Sequence, residues 1–166
     1  MRAITPVTEN HDIQLVADLA NEIWNEHFPA IIGQTQVDYM LCTLQSTIAV
    51  TAQLKAGQEY YLLYQEADPV GYLSLVADID RQKLMISKIY IKRAERGSGS
   101  GQHLLDFVKQ QCSDRGLGLI WLTVNRHNLQ TIDWYKRRGF IVTDEVIKDI
   151  GGGFFMDDLI MELALI

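Results

Sequence analysis

A strand-like segment, Leu84 to Ile91, runs almost directly into Arg96-Gly97-Ser98-Gly99-Ser100-Gly101, and a helix-periodic segment, Gln102 to Arg115, follows at once. This order of strand, glycine-rich turn and helix constrains the chain more than any other feature. Glycines at 97, 99 and 101 permit positive φ and let a ligand approach the backbone closely. The first turn of the following helix has unpaired N–H groups and a partial positive charge, a combination that binds phosphate. Ser98 and Ser100 offer hydroxyl donors, and Arg96 offers charge at the rim. Between Lys88 and Arg96 stand Lys88, Lys92, Arg93 and Arg96 against the single acid Glu95, on a chain whose net charge is −6. On charge alone, a specific anionic ligand and a solvated strand end carry equal weight. A Walker A loop is excluded, because no Gly-Lys-Ser/Thr closes the turn. A dinucleotide fingerprint is excluded too, since Gln102 and Leu104 stand where its third glycine would fall. A plain flexible connection remains the competing reading of the loop taken by itself.

The rest of the chain places this unit in a larger pattern. Arg2 to Val7 reads as a strand, and Asp12 as the N-cap of a helix carrying Ile13, Val16, Leu19, Ala20, Ile23 and Trp24 on one face. That helix is expected to end at Pro29. A second helical stretch starts near Gln36 and continues, after a break, to Gly57. The period then changes. Tyr60 to Gln65, Val70 to Ala77 and Leu84 to Ile91 read as three strands joined by polar turns. Leu119 to Val124 reads as a buried strand, Asn128 to Arg138 as a short helix, Phe140 to Thr143 as a strand, and Leu159 to Leu165 as a closing strand. A bend is expected near Asp149-Ile150-Gly151-Gly152-Gly153. The expected class is α+β, because strands this dense beside a helical pair do not fit a doubly wound parallel sheet.

With 166 residues and no internal repeat or linker, the chain is expected to form a single domain over 1–166. No apolar run approaches the roughly 20 residues a bilayer requires, and no signal peptide is legible at Met1-Arg2-Ala3-Ile4-Thr5-Pro6. Cys42 and Cys112 read as small core residues in a reducing compartment, so the expected location is cytoplasmic, with no membrane partner. The acidic balance argues against nucleic acid as a partner. No His, Cys or Asp cluster has metal-ligand spacing, and no metal is expected.

Two motifs together resemble the acetyl-CoA signature of the GNAT superfamily. Arg96, Gly99 and Gly101 match its Gln/Arg-x-x-Gly-x-Gly/Ala pattern, preceded by Ile89-Tyr90-Ile91. About 30 residues on, Asn128, Tyr135, Gly139 and Phe140 match Asn-x-x-Ala-x-x-x-Tyr followed by Gly-Phe, with Thr131 in place of the alanine. Ile120-Trp121-Leu122 and Asp158-Leu159-Ile160-Met161 are loosely similar to polyamine acetyltransferases of the PaiA type. The resemblance implies a GNAT fold, with a mixed, mainly antiparallel sheet of about seven strands flanked by four or so helices. It implies acetyl-CoA as co-substrate, its pyrophosphate on the backbone of Arg96, Gly97, Ser98, Gly99, Ser100 and Gly101, and its pantetheine arm along Ile89, Tyr90 and Ile91. Asn128 would contact the cofactor arm, and Tyr135 would protonate the departing thiolate.

The resemblance thus implies an N-acetyltransferase acting on a primary amine of a polyamine-like small molecule or of a peptide. A coenzyme A-binding module without chemistry is the alternative. Without the surrounding motif, Tyr135 reads equally as a packing residue spaced three from Ile132. His27, Glu26, Glu59, Asp78 and Asp80 all stand as candidate proton acceptors, and spacing singles out none of them. Asp144, Glu145, Asp149, Asp157 and Asp158 would attract a cationic acceptor if they border the cleft. Trp24, Phe28 and Tyr39 would shape another wall. Edge strands in such a fold can pair two subunits, so a homodimer stands among the expectations.

Overall fold

In the computed structural model, which describes residues 1–165, a run of helices precedes three consecutive strands, the grouping that the sequence pattern indicates. The elements are β1 (Arg2–Pro6), α1 (Asn10–His27), α2 (Pro29–Ile32), α3 (Gln34–Leu44), α4 (Thr47–Lys55), β2 (Glu59–Gln65), β3 (Asp68–Asp78), β4 (Lys83–Ile91), α5 (Ser100–Arg115), β5 (Leu119–Asn125), α6 (Leu129–Arg137), β6 (Ile141–Gly151) and β7 (Phe154–Ala164), with a single 3-10 turn at Arg93–Glu95. The fold is mixed α+β. Its sheet has seven strands among the described residues, in the order β1-β2-β3-β4-β5-β7-β6. Among the described residues the helices number six rather than four or so. The surplus arises before the first hairpin, where Pro29 starts a short helix as well as ending α1, and Ser46 caps a new helix by accepting from the Ala49 N–H at 3.2 Å.

Two compact units divide the chain. The first comprises residues 1–76 and 88–108. In it β1, β2 and β3 form antiparallel ladders, with Thr5 opposite Leu62 and Leu62 opposite Tyr72. Leu62, Tyr72, Leu73 and Leu75 are fully buried with Val16, Ala20 and Ile23 of α1, Val37 of α3 and Val50 of α4. Apolar residues recurring at helical spacing in α1 and at alternate strand positions in β2 meet in one core, and this burial is the main stabilising term. The N-cap of α1 is Glu9 rather than Asp12. Asp12 sits three residues inside and accepts from the backbone N–H groups of Thr8 and Glu9 at 3.0 and 3.1 Å, the reciprocal half of a capping box.

The second unit comprises residues 77–87 and 109 onward. Here the start of β4 runs parallel to β5, Lys83–Met85 beside Leu119–Trp121. A parallel pair requires a long crossover, and the glycine loop with α5 supplies it. β7 lies antiparallel to both β5 and β6. Ile120, Leu122, Met161, Phe140 and Cys112 form its core. β6 and β7 are eleven residues each, far longer than the segments expected at Phe140 to Thr143 and Leu159 to Leu165, and Gly151, Gly152 and Gly153 make the turn between them. Most of β6 is exposed, so no apolar alternation marks it in the sequence. Cys112 is buried as expected, whereas Cys42 is exposed, on the solvent side of α3.

Candidate functional site

The glycine loop, the end of β4 and the start of α5 lie together in the first unit. Alternation along β4 buries Leu84, Ile86 and Lys88 and leaves Ile89, Tyr90 and Ile91 half-buried. Tyr90 packs edge-on against Trp24 with ring centroids 5.4 Å apart, and its ring lies 5.4 Å from that of Tyr72. Trp24 and Phe28, expected to form a wall, are buried in this aromatic cluster, while Tyr39 is half-buried on α3. Gly71 of β3 lets β4 approach closely. A Cβ there would stand 2.7 Å from the Tyr90 carbonyl oxygen and 3.4 Å from Ile91 Cα.

Gly97 and Gly99 have φ of +76° and +90°, conformations that a side chain disfavours; the space around Gly97 is open, while a Cβ at Gly99 would stand 3.8 Å from the Arg2 guanidinium nitrogens. The first helical hydrogen bond of α5 runs from His103 N–H to the Gly99 carbonyl at 3.0 Å. Ser100 and Gly101 therefore precede it, in the first turn of the helix, whose N–H groups point out of the helix end. The two serine hydroxyls act within the protein. Ser98 Oγ donates to the Glu95 carbonyl at 2.6 Å, and Ser100 Oγ lies 3.1 Å from it and accepts from Arg2 Nε at 3.1 Å. Arg2 also donates to the Ser98 carbonyl, so β1 holds the loop through one guanidinium. Arg96 is exposed at the rim. Glycines that give access, backbone donors and two arginines make this a cradle for an anion. Its chemistry fits a pyrophosphate.

Asn128 and Tyr135 belong to the second unit. Asn128 is buried and occupies the N-cap of α6. Its carbonyl accepts from Ile132 N–H at 3.0 Å, but its side chain makes no capping bond. Tyr135 is buried between Trp134 and Phe140, with ring centroids 5.3 and 5.2 Å away. Burial pushes its hydroxyl further up from the ordinary tyrosine value, so the phenol stays protonated across the neutral range. Gly139, at φ +96°, turns the chain out of α6, and its α-carbon faces Leu163 so closely that a Cβ would stand 3.3 Å from that side chain.

Glu59 accepts from Tyr61 Oη at 2.6 Å, Asp78 accepts from Arg81 N–H at 3.1 Å, and His27 lies edge-on to Phe28. Glu26 and Asp80 are exposed. Within the acidic set, Arg126 engages Asp157 at 2.8 Å and Glu145 at 3.3 Å. Asp149 accepts from Gly151 N–H at 2.9 Å. Asp158 alone is buried; loss of solvation, then the charge of Asp157, raise its carboxyl to about 6, against the opposing Thr123 hydroxyl and Lys148. It faces Asn125 across the β5–β7 ladder, and Asn125 accepts from Asn128 N–H at 3.0 Å, so these three residues gather at the end of β5.

Three residues have surroundings here that the sequence reading did not assign them. Arg2 is remote in sequence from the loop it holds, and nothing in the sequence signals the contact. Lys88 is the second: its ammonium donates to the Leu44 carbonyl at 2.7 Å, to Gln53 Oε1 at 2.9 Å and to Tyr60 Oη. Burial pushes its pKa down to about 7. The signal for it was available, since Lys88 falls in phase with Leu84 and Ile86 on the buried face of β4. Asp158, the third as a titrating group, stands beside Asp157 in β7, and nothing in the sequence marks which of the two is buried.

The family model described as acetyltransferase (GNAT) family matches residues 17–140. An N-acetyltransferase of Lactobacillus delbrueckii subsp. lactis is 26% identical over 116 residues, which span 66% of this chain and 66% of that one. Streptothricin acetyltransferase of Streptomyces lavendulae is 31% identical over 75 residues, 45% of this chain and 40% of its own. Among solved structures, the PaiA N-acetyltransferase of Thermoplasma acidophilum in complex with coenzyme A superposes with a TM-score of 0.79 at 18% identity, covering 99% of both chains. The ribosomal-protein-S18-alanine N-acetyltransferase of Escherichia coli superposes at 0.74 with 17% identity, over 99% of this chain and 94% of that one. These likenesses establish the same fold.

Proposed function

The chain belongs to the GNAT acetyltransferase family, and from that premise we propose that residues 1–166 form one acetyl-CoA-binding domain that transfers the acetyl group to a primary amine. The observation that carries the reading is the cradle, in which Gly97 and Gly99 adopt positive φ immediately before the N-terminus of α5 while Arg2 and Arg96 stand at the loop. Ile89, Tyr90 and Ile91 would present backbone groups to the pantetheine arm, and the loop from Arg96 to Gly101 would hold the pyrophosphate.

The reaction asks for positioning and charge management, because the thioester is already activated. The amine nitrogen attacks the carbonyl carbon, the N–C bond forms, and negative charge develops on the carbonyl oxygen. A backbone N–H near Ile91 would stabilise that oxygen. The C–S bond then breaks, and Tyr135 would donate its proton to the departing thiolate. A buried phenol held in its protonated form suits that role, and Asn128 would orient the cofactor arm. The acceptor's own proton would leave to a base, directly or through water. The acceptor is a polyamine-like small molecule or a peptide amine. The carboxylates of the β6–β7 hairpin would support a cationic acceptor if they border the cleft.

Free-thiol release from acetyl-CoA, measured across polyamines, amino acids, aminoglycosides and peptides, tests the proposal. Release with at least one class supports it. Binding of acetyl-CoA with no release across the whole panel would indicate a coenzyme A-binding module instead. Failure to bind coenzyme A at all would overturn both. For Tyr135→Phe the expected result is a fall in kcat of about 100-fold or more with coenzyme A affinity retained; an unaltered turnover rate removes the general-acid role.

A further inference from the structure

β6 is one of the two outer strands of the sheet, β1 being the other, and is exposed along almost its whole length. It carries apolar side chains into solvent, Ile147 at 69% and Ile141 at 63% exposure, beside Phe155 of β7 at 55%. An open edge offers a row of backbone N–H and C=O groups to another strand, and proteins usually blunt such edges with charge, bulges or cover. Bulges interrupt β6 between Val142 and Asp144 and between Asp149 and Gly151, so its regular ladder is the stretch from Asp144 to Asp149. Four charges lie in that stretch, and their order decides what the edge accepts.

Two identical antiparallel strands related by a two-fold axis alternate hydrogen-bonded and non-hydrogen-bonded pairs. Symmetry must map each kind of pair onto its own kind, so the axis passes where a residue faces its own copy. Centring on Asp144, Glu145, Lys148 or Asp149 sets a like charge against itself. Centring on Ile147 opposes Glu145 to Asp149. Centring on Val146 opposes Asp144 to Lys148 twice and opposes no like charges. The same register sets Ile147 diagonally across from its own copy, covering the most exposed apolar side chain of the strand. Glu145 is meanwhile held by Arg126 of its own chain at 3.3 Å.

We propose that β6 is a homodimerisation edge, on which a second copy of this chain docks antiparallel about Val146 and closes two Asp144–Lys148 ion pairs across the axis. The edge that other proteins protect by charge is here charged in a self-complementary order. The inference rests on β6 alone and is independent of acetyl transfer.

Sedimentation velocity on the full chain over a concentration series provides the test, with Asp144→Lys, Lys148→Asp and the double exchange beside the wild type. The wild type is expected to dimerise with a dissociation constant in the micromolar range, on the order of 10 μM, because a short ladder buries little area. Each single reversal places two like-charge pairs across the axis and weakens the dimer about tenfold or more, and the double exchange restores it. Melting is recorded for all four proteins to separate loss of fold from loss of association, because Asp144 also accepts from the Glu145 N–H at 2.8 Å and Lys148 offsets the charge of Asp158. A wild type that stays monomeric throughout, a dimer indifferent to either single reversal, or a double exchange that fails to restore association would each overturn the proposal. If one single variant does not fold, the other reads the same repulsion.

Discussion

Arg2 is a cation parked at the positive end of a helix. It donates to Ser100 Oγ and the Ser98 carbonyl at the start of α5, where the helix dipole also concentrates positive charge. Such an arrangement is unfavourable until an anion sits between the charges, which is why it belongs with the proposed pyrophosphate site. Replacing Arg2 by Gln is expected to weaken coenzyme A binding about tenfold, equivalent to about 1.4 kcal/mol. Binding of pantetheine, which has no pyrophosphate, should stay unchanged in the same titration. An equal loss for both ligands would mean that Arg2 only supports the fold. Met1 and Arg2 read in the sequence as the unremarkable start of a strand, and only the pairing of β1 with β2 brings the guanidinium to the loop.

At the scale of elements, the spacing of β3 and β4 is set by a residue without a side chain. Lys92 N–H donates to the Val70 carbonyl at 2.8 Å, and a bulge near Val70 shifts the β2–β3 register. The neighbouring Gly71 leaves room for the Tyr90 carbonyl. Gly71→Ala would force the two strands apart just where Ile89, Tyr90 and Ile91 are proposed to meet the pantetheine arm. The expected loss is about 1–3 kcal/mol of stability, the usual cost of overpacking, with weaker binding of both coenzyme A and pantetheine. Denaturant titration and calorimetry read the two effects separately. The contrast with Arg2, whose loss should spare pantetheine, locates each residue on its own part of the cofactor.

Over the whole molecule, two buried ionisable groups tilt stability in opposite directions. The carboxyl of Asp158 is raised to about 6, so between its ordinary value and 6 the folded state binds more protons than the unfolded, and stability falls as pH rises. Lys88 is lowered to about 7, so from there to its ordinary value the unfolded state binds more protons, and stability rises with pH. Together these groups give a shallow minimum of stability between the two values. Asp158→Asn should flatten the acid side and Lys88→Met the alkaline side, each by on the order of 2 kcal/mol. Urea titrations between about pH 4 and pH 9 measure both. Slopes unchanged in the two variants would show that neither group carries the dependence. The Lys88 slope is read against Tyr60, which accepts from it and whose own hydroxyl is pushed further up by burial.

The sequence by itself determined the elements whose signal is local. Period and turn chemistry placed α1, α5, β2 and β4, and the motif residues from Arg96 to Gly101 and from Asn128 to Phe140 pointed to the family, because backbone conformation and helix-end chemistry are decided by neighbours in the chain. Tertiary structure alone decided which charges are buried and which strands end the sheet. Lys88 and Asp158 acquire their altered protonation only when α3, α4, β2 or the β5–β7 ladder covers them. Arg2 reaches the loop only through strand pairing. β6 looked like a stub because an exposed edge strand needs no alternating pattern; its length and its bare outer side exist only once β7 lies beside it. Long-range burial and pairing carry no local signature, and the features that most affect charge and association here are of that kind.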